Sequence, residues 1–131
     1  MTKNIFTLAF IFALGLGVAG CNTIGKALPP NDEVLVYPLS YDLAYLRTME
    51  ALDAVDHWQL EETDKEMGII KVRDTNYSSL DDADLRVITF LIKRVNRGTT
   101  SVSIDPSSQK VYGGAELIRA VSAALAREVK P

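Results

Sequence analysis

The chain has 131 residues, one cysteine, one histidine and a formal net charge of −3, which suits one domain with one modest core. A mildly acidic balance excludes the electrostatic footprint of a general nucleic-acid binder. It also gives no attraction to an anionic bilayer, so membrane attachment would need another cause. A lone cysteine excludes an internal disulfide framework.

Lys3 supplies a short positive start, and Ile5 to Val18 then form an apolar stretch. This has the length of a signal-peptide core and falls short of the roughly 20 residues a spanning helix needs. Gly15 and Gly17 weaken helix toward its end. Val18-Ala19-Gly20-Cys21 follows. The run resembles the bacterial lipobox: a branched aliphatic residue, two small residues, then the modified cysteine. The resemblance implies diacylglyceryl transfer to the Cys21 sulfur, cleavage before Cys21, and acylation of the new amino group. Residues 1–20 would then be a removed signal peptide, and loss of Lys3 would leave a net charge of −4. Two acyl chains make a stable anchor, at about 0.8 kcal/mol for each buried methylene. Asn22 stands where an Asp would signal retention in the inner membrane, so the expected address is the outer membrane, facing the periplasm. Residues 21–33 read as a lipidated N-terminus and tether, because they are small and polar and Pro29-Pro30 favours extended geometry.

Residues 34–131 read as the folded part. Val34-Leu35-Val36-Tyr37, ended by Pro38, is either a small edge strand or packed linker. Ser40 is a candidate N-cap with Asp42 near the positive end of a helix dipole. From Tyr41 the spacing of Tyr41, Ala44, Tyr45, Thr48, Ala51, Leu52 and Val55 predicts one helical face ending near Val55 or Asp56. His57 to Glu62 alternates as a half-buried strand with Trp58 and Leu60 inward. Asp64 to Gly68 is turn-like, and Ile69 to Arg73 resumes a strand with Ile70 and Val72 on one face. Asn76 to Asp84 is a polar loop holding three aspartates. Leu85 to Val95 is the most β-branched stretch and is apolar on both sides. Asn96-Arg97-Gly98 is a hairpin signal. Thr99 to Asp105 alternates with Val102 and Ile104 inward, until Pro106-Ser107-Ser108 breaks the strand. Gly113-Gly114 opens a last helix in which Leu117, Ile118, Val121, Leu125 and Val129 share a face.

Strands joined by short turns are most simply antiparallel, and two helices with one apolar stripe each can cover one face. The expected fold is therefore α+β. It is a two-layer sandwich of a four-stranded antiparallel sheet with two helices packed on one face, in the order α-β-β-β-β-α. Tyr37-Pro38 with Tyr41 to Leu52, then Gly68-Ile69-Ile70, Thr100 to Ile104 and a glycine before a closing amphipathic helix resembles a functionally uncharacterised family of small bacterial lipoproteins. Members carry an α-β-β-β-β-α domain behind a lipobox, and the likeness runs from about Val34 to Val129. The stretch from Asn76 to Asp84 departs from that pattern. A looser, fold-level likeness is to the helix-grip domains of lipoprotein C of the outer-membrane barrel assembly machine.

No set of residues in the folded part converges on a reaction. His57 stands beside Asp56 and Trp58, but an adjacent aspartate rarely points where a triad orienter must, and no serine lies in a nucleophile turn. It reads as a partly exposed junction residue. Asp81, Asp82 and Asp84 lack the order of a calcium loop and read as a solvated acidic segment. With Cys21 committed to lipid and one histidine, zinc is unsupported. No cofactor is expected. Lys93-Arg94-Val95-Asn96-Arg97 is a basic cluster, so Lys93, Arg94 and Arg97 are candidate partner contacts, able to meet lipid or lipopolysaccharide phosphates; the competing reading is a charged strand end that blocks edge pairing. Gly113-Gly114 lacks the rest of a phosphate-loop motif. Asn76-Tyr77-Ser78 matches a glycosylation sequon, a weak signal in a bacterial setting. Tyr37, Tyr41, Tyr45, Trp58 and Tyr112 are either core or, if exposed together, a protein-binding patch.

The expected function is that of a non-enzymatic, membrane-anchored envelope protein binding another envelope component. The alternatives are a small-ligand module with a cavity between sheet and helices and, behind it, a small hydrolase using His57.

Overall fold

The computed structural model describes residues 30–76 and 86–129. Cys21, the signal stretch, most of the tether and the three-aspartate segment lie outside the described residues, as do Tyr77 and Ser78 of the sequon.

The first helix, α1, spans Tyr41–Asp53. Ser40 caps it in extended geometry, its hydroxyl accepting the Leu43 N–H at 3.4 Å, with Asp42 in the first turn. The helix ends at Asp53 with Ala54 as its C-cap, slightly earlier than the apolar spacing suggests, and the Ala54 N–H makes the last helical bond to the Glu50 carbonyl at 3.1 Å. Ala44, Tyr45, Thr48 and Leu52 are its buried face.

Five strands follow the chain: β1 Val34–Tyr37, β2 Trp58–Asp64, β3 Ile69–Asp74, β4 Val87–Asn96 and β5 Thr99–Ile104. They form one antiparallel sheet in the order β1-β5-β4-β3-β2. The sheet therefore has five strands where four were expected. The addition is β1, with Val34 opposite Ser103 and Tyr37 opposite Thr100. Nothing near Val34 in sequence announces a partner more than sixty residues away, so a four-residue run ended by proline is ambiguous until the sheet exists.

Alternation along the strands selects the buried face. Leu35, Ile70, Val72, Ile88, Phe90, Ile92, Val102 and Ile104 are all buried, with Phe90 opposite both Ile70 and Ile104. Fully burying such a side chain stabilises the fold by about 1.5–3 kcal/mol. Trp58 is buried and Leu60 packs against the core, both inward as expected, with Leu60 half-buried on the edge strand β2; the β2 register shifts at a bulge between Leu60 and Glu62.

After β5 a 3-10 turn, Pro106–Ser108, is capped by Asp105. The second helix, α2, spans Gly114–Val129 and buries Leu117, Ile118, Val121 and Leu125. Val129, expected on the same stripe, is exposed at the helix end. The two helices contact each other, and each contacts the sheet. Among the described residues no helix is long and apolar enough to cross a membrane.

Candidate interaction site

The antiparallel order gathers certain turns at one end of the sheet. The β4–β5 hairpin, the β2–β3 turn and the start of α1 all lie at the end where β1 finishes. β4 is a central strand, but its pairing with β3 stops at Leu91, whereas its pairing with β5 continues through Arg94 to Asn96. The hairpin thus overhangs the β2–β3 turn and leaves a notch beside it.

The turn is pressed into that notch. Gly68 has φ of +70°, and its carbonyl accepts the Ile92 N–H at 2.8 Å. A Cβ there would lie 2.2 Å from the Ile92 carbonyl oxygen, so glycine is required both by conformation and by contact. Asp64 fixes the turn from within by accepting the Met67 N–H at 3.0 Å. The Tyr41 hydroxyl donates to the Lys65 carbonyl, tying α1 to the turn. One residue row deeper, the Tyr45 hydroxyl donates to the Ile69 carbonyl at 3.2 Å.

These contacts enclose an open basin of about 710 Å³, lined among others by Tyr41, Lys65, Met67, Ile92, Lys93 and Arg94. Arg94 lies over the Tyr41 ring, 5.1 Å from its centroid, a cation–π distance. Lys65 pairs with Asp42 at 3.0 Å. Partial burial raises the Tyr41 hydroxyl above its ordinary pKa, against the opposing pull of Arg94 and then Lys65.

Of the three basic residues singled out in the sequence, Lys93 and Arg94 both border the basin, from alternating faces of β4, and Arg97 is not among its lining residues. Arg94, opposite Thr100, shares the buried-face alternation of Ile92, whereas Lys93, opposite Ser101, points to the other side of the sheet. Arg97 occupies the hairpin turn and is exposed. Arg94 joins Lys65, Tyr41 and Met67, which no local pattern connects to it. The period-two alternation could have separated Lys93 from Arg94, but the notch needs the tertiary register.

His57 is exposed with φ of +71°. Its carbonyl accepts the Thr75 N–H at 2.7 Å and the Thr75 hydroxyl at 3.1 Å. Its backbone therefore turns the chain from α1 into β2, and among the described residues no hydrogen bond or ion pair engages its ring. Gly113, φ +97°, has the Trp58 ring 2.5 Å from where a Cβ would be, which explains the glycine at the start of α2. Among the aromatic residues, Tyr45 and Trp58 are core, Tyr37 and Tyr41 are half-buried, and Tyr112 stands apart at 75% exposure. Among the described residues no group of three potential ligands could hold a metal ion.

No protein-family model matches the chain, and no curated protein matches it.

Proposed function

We propose that the chain is a bacterial lipoprotein, anchored through acylated Cys21 to the outer membrane and facing the periplasm, whose folded part binds another envelope component without catalysing a reaction. The observation that carries this reading is the run Val18-Ala19-Gly20-Cys21 placed directly after an apolar stretch of signal-peptide length. Membership of the small lipoprotein family with an α-β-β-β-β-α domain belongs to the same proposal, with β1 added at the sheet edge. So does the packing of both helices on one sheet face. What supports that packing is the shared core: Leu52 of α1 and Leu117, Val121 and Leu125 of α2 are buried in one cluster with Phe90 and Val102.

The small-ligand reading requires space between sheet and helices. Those interior positions are taken by Phe90, Ile88, Leu117 and Leu125, each at 0% exposure, which weighs against it. The hydrolase reading requires His57 to act through its ring, and the structure gives that residue a backbone role in the α1–β2 junction.

Crosslinking in cells at native expression, followed by purification of the membrane-anchored protein, tests the binding role. A defined envelope protein recovered in constant ratio is the expected outcome. Recovery of the protein alone contradicts the proposal. His57→Ala is expected to complement every phenotype of a deletion strain, and failure to do so with normal protein levels would revive the hydrolase.

A further inference from the structure

We infer that the basin between the β2–β3 turn and the overhanging end of β4 is a docking site for an acidic peptide segment of a partner protein, with Arg94 as the carboxylate anchor. The inference rests on the envelope-binding reading above and adds where the partner sits and what it presents.

Carboxylates already occupy several of the basic side chains. Lys71 pairs with Glu62, Arg73 with Glu61, Arg86 with Asp74, and Arg47 with both Glu50 and Glu128. Arg94 has no carboxylate within ion-pair distance among the described residues, a state it shares with Lys93, Arg97, Lys110, Arg119 and Arg127; what sets it apart is its place over the Tyr41 ring inside the basin. The Tyr41 ring holds Arg94 without neutralising it. A guanidinium stacked on an aromatic face keeps its in-plane N–H fork, which matches a carboxylate with two parallel hydrogen bonds. Met67, 70% exposed, supplies an adaptable apolar contact at the basin wall.

The walls are rigid for a surface feature. The turn hangs on β4 through Gly68 and on α1 through Tyr41, and is closed by Asp64. A site held this way loses little entropy when it is filled.

Two observations favour a peptide over an anionic lipid surface. Asp42 and Glu66 stand at the rim; they admit a single carboxylate beside Arg94 but repel a continuous layer of phosphates. The basin also lies at the far end of the sheet from the tether. The chain enters at Asn31, whose N–H is held by the Gln109 carbonyl at 2.9 Å, and β1 then runs toward the basin end. At about 3.3 Å per residue, the six residues from Asn31 to Tyr37 span roughly 20 Å.

The test uses the full chain purified in mild detergent and two fluorescent eight-residue peptides. One carries a single glutamate and a leucine, and the other has glutamine in place of the glutamate. Vesicles of phosphatidylglycerol and phosphatidylcholine form a third arm. The acidic peptide is expected to bind and the neutral one not, with affinity falling about five- to tenfold in Arg94→Gln. Arg94→Lys, which keeps the charge and loses the fork, is expected to recover only part of that loss. Arg119→Gln, on α2 away from the basin, is expected to leave binding unchanged. Unchanged melting of Arg94→Gln shows that a loss is local. The inference is overturned if both peptides bind alike, if neither binds, if Arg94→Gln matches the parent, or if phosphatidylglycerol vesicles bind through Arg94 in place of the acidic peptide. Cys21→Ser separates the two readings: it is expected to lose the acyl anchor while keeping peptide affinity. Anchoring without peptide binding defeats the basin alone.

Discussion

Two buried threonines have opposite consequences at the same substitution. The Thr48 side chain is fully buried in α1, and its hydroxyl has no hydrogen-bond partner among the described residues. The Thr100 hydroxyl, also buried, donates to the Leu39 carbonyl at 2.9 Å and pins the β1–α1 connection to β5. An unsatisfied buried polar group costs about 1–3 kcal/mol. Thr48→Val is therefore expected to raise unfolding stability by about 1 kcal/mol, and Thr100→Val to lower it by a similar amount or more. Urea denaturation checks both, and two shifts of the same sign would contradict the hydrogen-bond assignment. His57 offers a third residue-scale test. Its positive φ costs a non-glycine side chain about 1 kcal/mol, partly offset in His57→Gly by the added chain entropy of glycine. His57→Gly is expected to melt at or slightly above the parent temperature, whereas Gly113→Ala, which drives a methyl into Trp58, is expected to lose about 2 kcal/mol or more. Neither effect is visible in the sequence, where Thr48 and Thr100 look alike and His57 invites a chemical reading.

At the scale of elements, the short turn after β5 carries a pH dependence. The Ser107 hydroxyl, and then its backbone N–H, hold the Asp105 carboxyl below its ordinary value of 3.8. The same turn is clamped to β4: the Asp105 N–H donates to the Thr89 carbonyl at 2.8 Å, and the Ser108 hydroxyl accepts the Thr89 N–H at 3.1 Å. A carboxyl whose pKa is lower in the folded than in the unfolded state adds stability above the unfolded value. That increment disappears as pH falls through the folded value. Asp105→Asn is expected to reduce stability at neutral pH and to flatten the acid limb below pH 4; parallel pH profiles for variant and parent would refute this. Most elements were legible from local pattern. The Asn96-Arg97-Gly98 hairpin, the inward Ile70 and Val72, the inward Val102 and Ile104, and the Ser40 cap all follow from spacing and turn chemistry. The misses are tertiary. β1 depended on a distant strand, and Val129 is exposed at the end of α2; Leu60 packs against the core as expected but stays half-buried on the edge strand.

On the scale of the whole molecule, the fold separates two ends. Asn31 and Gly113, near the start of α2, mark the end where the described chain enters the fold. Arg94, Lys65 and Met67 mark the other. The second was not legible in the sequence, because the basin is assembled from α1, β4 and the β2–β3 turn by strand register. The exposed ion pairs between these ends contribute little to stability, about 0–1 kcal/mol each, so removing Lys71 or Glu62 is expected to leave the domain folded. We propose above all that this module is held to a membrane through Cys21. Intact-mass analysis of the protein from bacterial membranes tests it most directly. The expected result is a chain beginning at Cys21 and carrying diacylglyceryl plus N-acyl mass, with Cys21→Ser uncleaved at that site and unlabelled by radioactive palmitate. A parent protein retaining Met1 to Gly20, or a Cys21→Ser variant that still takes up acyl label, would contradict it.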